Sequence, residues 1–383
     1  MIAYDKELLE NTFAVEAAED LRDGKFISDE QYKLAKQSFV TLKTNRNIFL
    51  RIAFFLLGVF CYSAMSGTFG LMFASMLENF GFMAFCLAII GAIVTEVLSR
   101  GQYFAHGLDD AAILGCQLWT GIAFGITTES PAIVCLSVSI VAGICALRYL
   151  HTLSVIVSVA AFVAFIGTLT FDMHVISEIY LTVILFVFAI VLFFIHRTLK
   201  TRKNAIFYNW PLLALEFSSL AVGYFSMNYF VVRTLAEDQM GFQVTPANDI
   251  PLAILFWIFT FGLPPIFVYF AIKTKNRLML WVGILTLAFS IFSFRYYYHV
   301  LPTEWALLLG GLLVGAASLF CIRKLKGRET GVTFEKDRLH DSRALSVAQA
   351  VIVNSHAIQN IPTNGPMEFG GGGFSGGGAG ESF

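Results

Sequence analysis

The sequence predicts an all-α, polytopic integral membrane protein, and three observations lead to that prediction. Hydrophobic residues make up 57% of the 383 residues. Charged residues make up 14%, whereas a soluble domain has roughly 25%. Apolar segments follow one another from residue 48 to residue 322, and each is close to the ~20 residues that a helix needs to cross ~30 Å of hydrocarbon. A helix satisfies its backbone hydrogen bonds within its own segment, so helices are the expected element.

The first domain, residues 1–46, is polar and predicts a short cytoplasmic helical hairpin. Gly24 ends the first helix, and Ser28 with Gln31 forms a capping box at the start of the second. Ile27 and Tyr32 occupy the hydrophobic-staple positions around that cap. A hairpin of this size is too small for a core of its own. We therefore expect it to lie against the membrane domain or to pair with another chain.

The second domain, residues 47–322, predicts about ten transmembrane helices. The lipid bilayer is therefore an expected partner. The predicted spans are 48–66, 81–98, 110–127, 131–148, 152–171, 176–195, 210–232, 250–272, 278–294 and 303–322.

Charge in the connecting loops predicts which side each loop faces. If the N-terminus is cytoplasmic, the outer loops contain only two basic residues, Arg233 and Arg295. The inner loops then hold Arg100, Arg148, Arg197, Lys200, Arg202, Lys203, Lys273, Lys275 and Arg277. This asymmetry is what the positive-inside rule demands. Both termini are thus predicted to be cytoplasmic.

The third domain, residues 323–383, predicts a cytoplasmic tail. Its end, residues 365–383, is rich in glycine and lacks the apolar content for a core, so it is predicted to be disordered. Phe369, Phe374 and the terminal Phe383 recur along it. A terminal aromatic residue with a free carboxylate suits the groove of a cytoplasmic protein partner. The plain alternative is flexible spacing.

Glu216 is the sharpest candidate for a functional residue. It lies in the seventh predicted span, about two helical turns from the cytoplasmic face. A carboxylate at that depth costs a few kcal/mol and usually faces protein or water. Ser219 shares its helix face, and Asn228 adds a polar group further along. One interpretation is a substrate or ion path; the other is a structural carboxylate bonded to a neighbouring helix.

Pro264 and Pro265 lie in the middle of the eighth predicted span. Two prolines remove backbone donors and are expected to kink a helix. Broken helices mark binding sites in transporters, although proline kinks are also ordinary in membrane helices. If the protein transports a solute, we expect Glu216 to face a water-accessible cavity near these prolines. A dry contact without a cavity would count heavily against transport.

Other acidic residues receive structural interpretations. Glu96 and Arg100 are four residues apart, which predicts a local ion pair. Asp109 and Asp110 open the third predicted span, where the helix dipole favours acids. Capping is therefore the favoured role for both.

The sequence lacks the motifs of the common enzyme classes. It has no HExxH, GxSxG, P-loop or GxGxxG pattern. Its cysteines lie in apolar runs without metal-binding spacing. His106, His151 and His196 fall near the predicted cytoplasmic side, and no pair of histidines is placed to ligate haem. We expect no enzyme activity, no cofactor, no metal and no nucleic-acid partner.

Three segments resemble a known family. The stretch "AVEAAEDLRDGKFISDEQYKLA" resembles the Leu…Gly…Ile-Ser…Gln…Tyr hairpin of bacterial multi-pass membrane proteins that share a domain of unknown function. The segment "FSFRYYYHVLPTEWALLLGGLLVGAASL" is similar to the tyrosine-rich last helix of related proteins, although "TEWA" replaces their Lys-Ser. The ending "EFGGGGFSGGGAGESF" is similar to glycine-rich tails on such proteins. The resemblance implies a bacterial inner-membrane location and no particular activity.

Two function classes follow from the sequence. The leading one is a transport-like or solute-handling membrane protein that uses Glu216 and the Pro264–Pro265 break. The alternative is a non-transporting scaffold or sensor that acts through its N-terminal hairpin and C-terminal tail, with Glu216 structural.

Overall fold

The computed structural model describes residues 2–23, 26–72, 79–239, 241–242, 249–298 and 303–326. Across these residues the regular elements are helices, with an isolated β-bridge between Lys43 and Tyr103. The predicted all-α class is confirmed. The turn at Gly24 and the glycine-rich end of the tail lie outside the described residues.

The helices are numbered in chain order. They are α1 (Lys6–Asp23), α2 (Asp29–Ser38), α3 (Ile48–Met72), α4 (Phe80–Arg100), α5 (Leu108–Thr128), α6 (Pro131–Tyr149), α7 (Thr152–Phe171), α8 (Glu178–Lys200), α9 (Asn209–Met227), α10 (Tyr229–Gln239), α11 (Ala253–Thr274), α12 (Arg277–Tyr297) and α13 (Thr303–Leu325).

Within the described ranges, eight helices are long and apolar enough to cross a membrane, namely α3 to α8, α11 and α12. Large apolar side chains on them face outward; Phe60 is 70% exposed and Trp281 is 65% exposed. Contiguous apolar surface of this kind marks a region that another apolar phase covers. These features indicate a membrane protein. The predicted count of about ten is not confirmed, because α9 and α13 are outside this set.

The predicted span 210–232 is interrupted at Asn228, where the backbone is extended. Asn228 ends α9 and also caps α10, since its Oδ1 accepts a hydrogen bond from the N–H of Val231 at 3.3 Å. The N–H of Tyr229 donates to Thr260 Oγ1 in α11 at 2.9 Å. Side chains thus accept hydrogen bonds from backbone N–H groups that would bond to backbone carbonyls in a continuous helix. Hydropathy does not register a cap inside an apolar run, so the sequence predicted one span.

Consecutive helices pack as antiparallel pairs. α4 packs most extensively on α5, α6 on α7, α8 on α9, and α11 on α12. Gly91 in α4 permits one close approach, because a Cβ there would overlap the Tyr62 hydroxyl. That hydroxyl donates to the carbonyl oxygen of Leu87 at 2.7 Å. By contrast, α7 and α8 pack little on each other although they are consecutive.

Residues 2–47, here called the N-terminal module, contain α1 and α2. The predicted capping box is present: Gln31 N–H donates to Ser28 Oγ at 3.2 Å, and Ser28 N–H donates to Gln31 Oε1 at 2.9 Å. A small core forms between the two helices. Its buried members are Ala14, Val15, Ala18, Tyr32 and Ala35, with Ile27 packed against them.

The N-terminal module lies against one end of the membrane domain. A buried apolar group, here called the docking cluster, contains Tyr4, Leu9, Leu42, Ile113, Cys145, Tyr149, Leu150 and Phe207. The N–H of Ala3 also donates to the carbonyl oxygen of Arg148 at 2.9 Å. The module therefore shares a core with the ends of α5 and α6 and with the connection between α8 and α9.

Candidate functional site

Glu216 lies in α9 and is 3% exposed. Its Oε1 accepts a hydrogen bond from the Nδ2 of Asn276, the residue that caps α12. Its Oε2 lies 3.6 Å from Nε2 of His196 in α8, a distance typical of an ion pair and longer than a hydrogen bond. His196 is 4% exposed. The carboxylate thus joins α8, α9 and α12 in a dry contact, here called the Glu216 pair.

Backbone bonding fixes where the protons of this pair lie. His196 Nδ1 is 2.9 Å from the carbonyl oxygen of Leu212. A carbonyl only accepts, so Nδ1 carries a hydrogen and a neutral ring leaves Nε2 bare. Asn276 Oδ1 accepts from the N–H of Met279 at 3.2 Å, so its NH₂ group is the part that meets Glu216. Oε1 is therefore an acceptor, and a proton on Glu216 belongs on Oε2.

An ionised Glu216 and a neutral His196 would place two acceptors face to face. Glu216 Oε2 has no hydrogen-bond partner among the described residues. A buried charged oxygen without a donor is costly. A proton held between the two groups would relieve this cost.

Asp110 in α5 forms a second contact of this kind, here called the Asp110 pair. Its Oδ2 accepts from Arg51 Nε of α3 at 2.7 Å, and its Oδ1 lies 3.2 Å from His151 Nε2. Gly107, which precedes α5, has φ of +109° and leaves no room for a Cβ beside the backbone of Arg51. Glycine at that position therefore lets α3 approach the start of α5.

His151 has the opposite tautomer from His196. The backbone N–H of Ser154 donates to His151 Nδ1 at 3.2 Å, so Nδ1 is bare and the ring hydrogen of the neutral form lies on Nε2. That hydrogen faces Asp110, although it is not aligned for a hydrogen bond. Ser154 Oγ lies 2.6 Å from the same Nδ1 and accepts from Gln117 Nε2 at 2.5 Å. The Asp110 pair therefore needs no extra proton.

The two adjacent aspartates have different roles. Asp109 Oδ1 accepts from the N–H groups of His106 and Gly107, both at 3.0 Å, which agrees with the capping role expected from the sequence. Asp110 instead binds Arg51, so capping was the wrong expectation for it. Burial, with the nearby charges of both aspartates, raises the pKa of the Tyr4 hydroxyl in the docking cluster.

Glu96 has a stronger partner than the sequence predicted. Arg100 lies 3.5 Å away, as its spacing implies. Arg148 of α6 contacts both carboxylate oxygens, at 2.8 Å and 3.1 Å, and the Tyr149 hydroxyl donates at 3.1 Å. Glu96 thus ties α4 to α6.

The structure does not assemble the predicted site residues into one site. Asn228 lies twelve residues beyond Glu216, about 18 Å along α9. Ser219 is buried, and its hydroxyl donates to the backbone carbonyl of Glu216. Pro264 is buried inside α11 and Pro265 is exposed, and α11 remains helical through both.

Asn228 belongs to a separate buried network of α9, α11 and α12. Its Nδ2 donates to the Tyr224 hydroxyl at 2.8 Å, which lies 2.7 Å from Ser290 Oγ. Ser290 also lies 2.6 Å from the carbonyl oxygen of Thr260. The network surrounds the α9–α10 break and satisfies the polar groups there, so it explains how the break is stable.

The described part of the membrane domain contains grooves between its helices. One, of about 450 Å³, lies between α5, α6 and α7, and another, of about 400 Å³, lies between α7, α8, α9 and α10. Neither is lined by Glu216 or Pro264. The described residues also contain no group of three or more His, Cys, Asp or Glu side chains placed to hold a metal ion.

Sequence reasoning missed the partners of both carboxylates. His196, Asn276, His151 and Arg51 come from other helices, and no local spacing connects them to Glu216 or Asp110. The one available signal was that His151 and His196 were assigned to the same side of the membrane as the two carboxylates. Comparison of the chain with protein-family models, curated proteins and solved structures finds no match.

Proposed function

We propose that the chain is a non-transporting membrane sensor or scaffold in which α9 links the Glu216 pair to the N-terminal module. One observation carries the proposal. Phe207, two residues before α9, is buried in the docking cluster with Tyr4 and Leu9. The helix that bears Glu216 therefore begins directly at the core of the module, and a shift of α9 reaches the module without an intermediate element.

Loss of the extra proton supplies the driving force for such a shift. It leaves Glu216 Oε2 and His196 Nε2 facing each other as acceptors in a dry contact, which favours separation of α8 from α9. Arg197 follows His196 directly in α8, and the charge of Lys200, one turn further along, also acts on His196. From α12 the Glu216 pair meets the neutral amide of Asn276. Proton occupancy is thus the variable that this arrangement senses.

The dry contact of Glu216 weighs against the transport-like class that the sequence placed first. A path for a polar solute or ion needs water or polar side chains along it. Glu216 is 3% exposed and lines neither groove in the described residues. This burial supports the sensor or scaffold.

We further propose ten membrane crossings with both termini cytoplasmic, in the inner membrane of a bacterium. α9 with α10 would form one interrupted crossing, and α13 would be the last. Support comes from Arg51, Arg100, Arg148 and Lys200, which lie at the helix ends nearest the N-terminal module, as the positive-inside rule expects. The N-terminal module, as a helical hairpin, or the glycine-rich tail would then meet a cytoplasmic protein partner.

Hydrogen–deuterium exchange of the full chain in nanodiscs tests the sensor proposal. Exchange would be followed in residues 2–23 between about pH 5 and pH 8, the range in which histidine usually changes charge. We expect faster exchange at the higher pH, because loss of the proton loosens the docking cluster. Glu216→Gln mimics the protonated acid, so this variant should show protected, pH-independent exchange after correction for intrinsic rates.

Glu129→Gln is the matched control, because Glu129 is an exposed carboxylate in the α5–α6 connection. It should keep the pH response of the natural chain. A pH response that survives Glu216→Gln, or a natural chain without one, would refute the sensor proposal. Solute-coupled proton movement in proteoliposomes that is lost in Glu216→Gln would instead establish the transport-like class.

A further inference from the structure

The groove between α7, α8, α9 and α10 has a distinct position relative to the Glu216 pair. It is lined along α9 from Phe217 to Ser226, about 14 Å of helix. Ser218 is two residues from Glu216, a rotation of roughly 200° at 3.6 residues per turn. The groove and the Glu216 pair therefore lie on opposite sides of α9.

The groove exists because α7 and α8 diverge. Each packs on α9, but they pack little on each other. Neighbouring side chains on α8, such as Val183 at 50% exposed and Val187 at 52% exposed, face outward. The mouth of the groove therefore opens to the lipid phase rather than to water.

Two hydroxyl groups in the groove are unusual in this protein. Thr182 is 8% exposed and Ser218 is 6% exposed, and both line the groove. Neither hydroxyl makes a hydrogen bond to any described residue, whereas the other buried Ser and Thr side chains of the described chain do, for example Thr170 to the carbonyl oxygen of Ile166 at 2.9 Å. Both hydroxyls therefore remain free to donate to a molecule in the groove.

We propose that this groove binds a neutral, chain-like lipophile from the bilayer that carries a carbonyl or hydroxyl oxygen. The unpaired hydroxyls of Thr182 and Ser218 can donate to such an oxygen. The lining contains no ionisable side chain, so a charged headgroup is excluded from the interior. A lining that runs along about 14 Å of α9 and a volume of about 400 Å³ suit a hydrocarbon chain.

Helix α9 lies between the groove and the Glu216 pair, so a ligand in the groove can affect the pair. A lipophile in the groove presses on the side of α9 opposite Glu216, so occupancy and protonation act on the same helix. That role rests on the sensor function proposed above, whereas binding itself does not.

Photolabelling with a diazirine-bearing monoacylglycerol tests the binding. The full chain would be held in phosphatidylcholine nanodiscs, irradiated and mapped by peptide mass spectrometry. We expect saturable labelling of α7, α8 and α9 at the groove, and displacement by unlabelled monoacylglycerol. Thr182→Val and Ser218→Ala each remove one donor, so each should weaken binding about fivefold, the equivalent of one hydrogen bond of ~1 kcal/mol.

Thr170→Val is the matched control, because Thr170 is buried in α7 outside the groove and its hydroxyl is already paired. It should label like the natural chain. Glu129→Gln, which changes an exposed carboxylate in the α5–α6 connection, should also label normally. Labelling is measured apart from the pH response, so the binding proposal and the sensor proposal can fail separately. Labelling that does not saturate and spreads over all lipid-facing helices would mean annular lipid only and would overturn the proposal, as would unchanged labelling of both groove variants.

Discussion

The Asp110 pair and the Glu216 pair have the same components and different proton requirements. Each places a buried carboxylate beside an imidazole. At Asp110 a backbone N–H donates to Nδ1 of His151, so the ring hydrogen lies on Nε2 and faces the carboxylate. At Glu216 a backbone carbonyl accepts from His196, so the ring hydrogen points away.

The two pairs also differ in the further residue that contacts the carboxylate. Arg51 gives Asp110 a permanent positive charge, whereas Asn276 gives Glu216 a neutral amide. One carboxylate therefore has a cation in direct contact, and the other has a neutral amide in that place. The lesson is that backbone partners, by selecting a tautomer, decide whether a carboxylate–imidazole contact is structural or proton-dependent.

The largest expected effect is the loss of Arg51. Arg51→Met leaves Asp110 buried and ionised without its cation, which should lower the free energy of unfolding by about 3 kcal/mol. Unfolding in SDS followed by tryptophan fluorescence would measure it. Arg51→Lys keeps the charge and should lose less. A loss as large for Lys as for Met would show that shape, not charge, stabilises the Asp110 pair.

The second test exchanges each carboxylate for its amide. Asp110→Asn leaves the Arg51 cation without a counter-charge and should cost about 2 kcal/mol. Glu216→Gln should cost less than about 1 kcal/mol, because its carbonyl still accepts from Asn276 and its NH₂ group donates to His196 Nε2. The same unfolding assay compares them. Equal losses would contradict the difference that we draw between the two pairs.

Sequence patterns predicted the helical class and the capping box at Ser28, because each depends on local spacing or on hydropathy. The break at Asn228 escaped prediction, since its cap and its Thr260 partner are hidden in apolar runs. The partners of Glu216 also escaped, because Asn276 is sixty residues away and its amide contact depends on how α9 and α12 pack. Tautomers depend on backbone atoms, which no residue pattern encodes.

A third test gives the Glu216 pair a second acid. Asn276→Asp keeps the α12 cap, since aspartate also accepts from the N–H of Met279. It places two carboxylates in contact, which cannot both ionise without a large cost. We expect a loss of stability of about 1–2 kcal/mol at neutral pH and recovery as the pH falls. A pH-independent loss would show that packing, not charge, limits this site.

The smallest expected effect concerns a carboxylate outside the membrane that lies near an arginine without binding it. Burial raises the pKa of Glu16 in α1, and the Arg46 charge opposes part of that rise. Arg46 pairs instead with Glu19 and Asp20. The folded chain therefore holds the Glu16 proton more tightly than the unfolded chain. Its contribution to stability is complete below the usual glutamate pKa of about 4.3 and is lost as the pH rises through the raised value.

Glu16→Gln removes this dependence, because glutamine cannot ionise. The variant should match the natural chain at low pH and be slightly more stable at neutral pH, as measured by thermal unfolding of the N-terminal module in the full chain. Glu10→Gln, on an exposed part of the same helix, should leave the profile unchanged. If Glu16→Gln were instead less stable at neutral pH, the Arg46 charge would dominate burial, and Glu16 would resemble Asp110 rather than Glu216. Proximity to an arginine would then be enough to balance a carboxylate, without the direct contact that Arg51 makes.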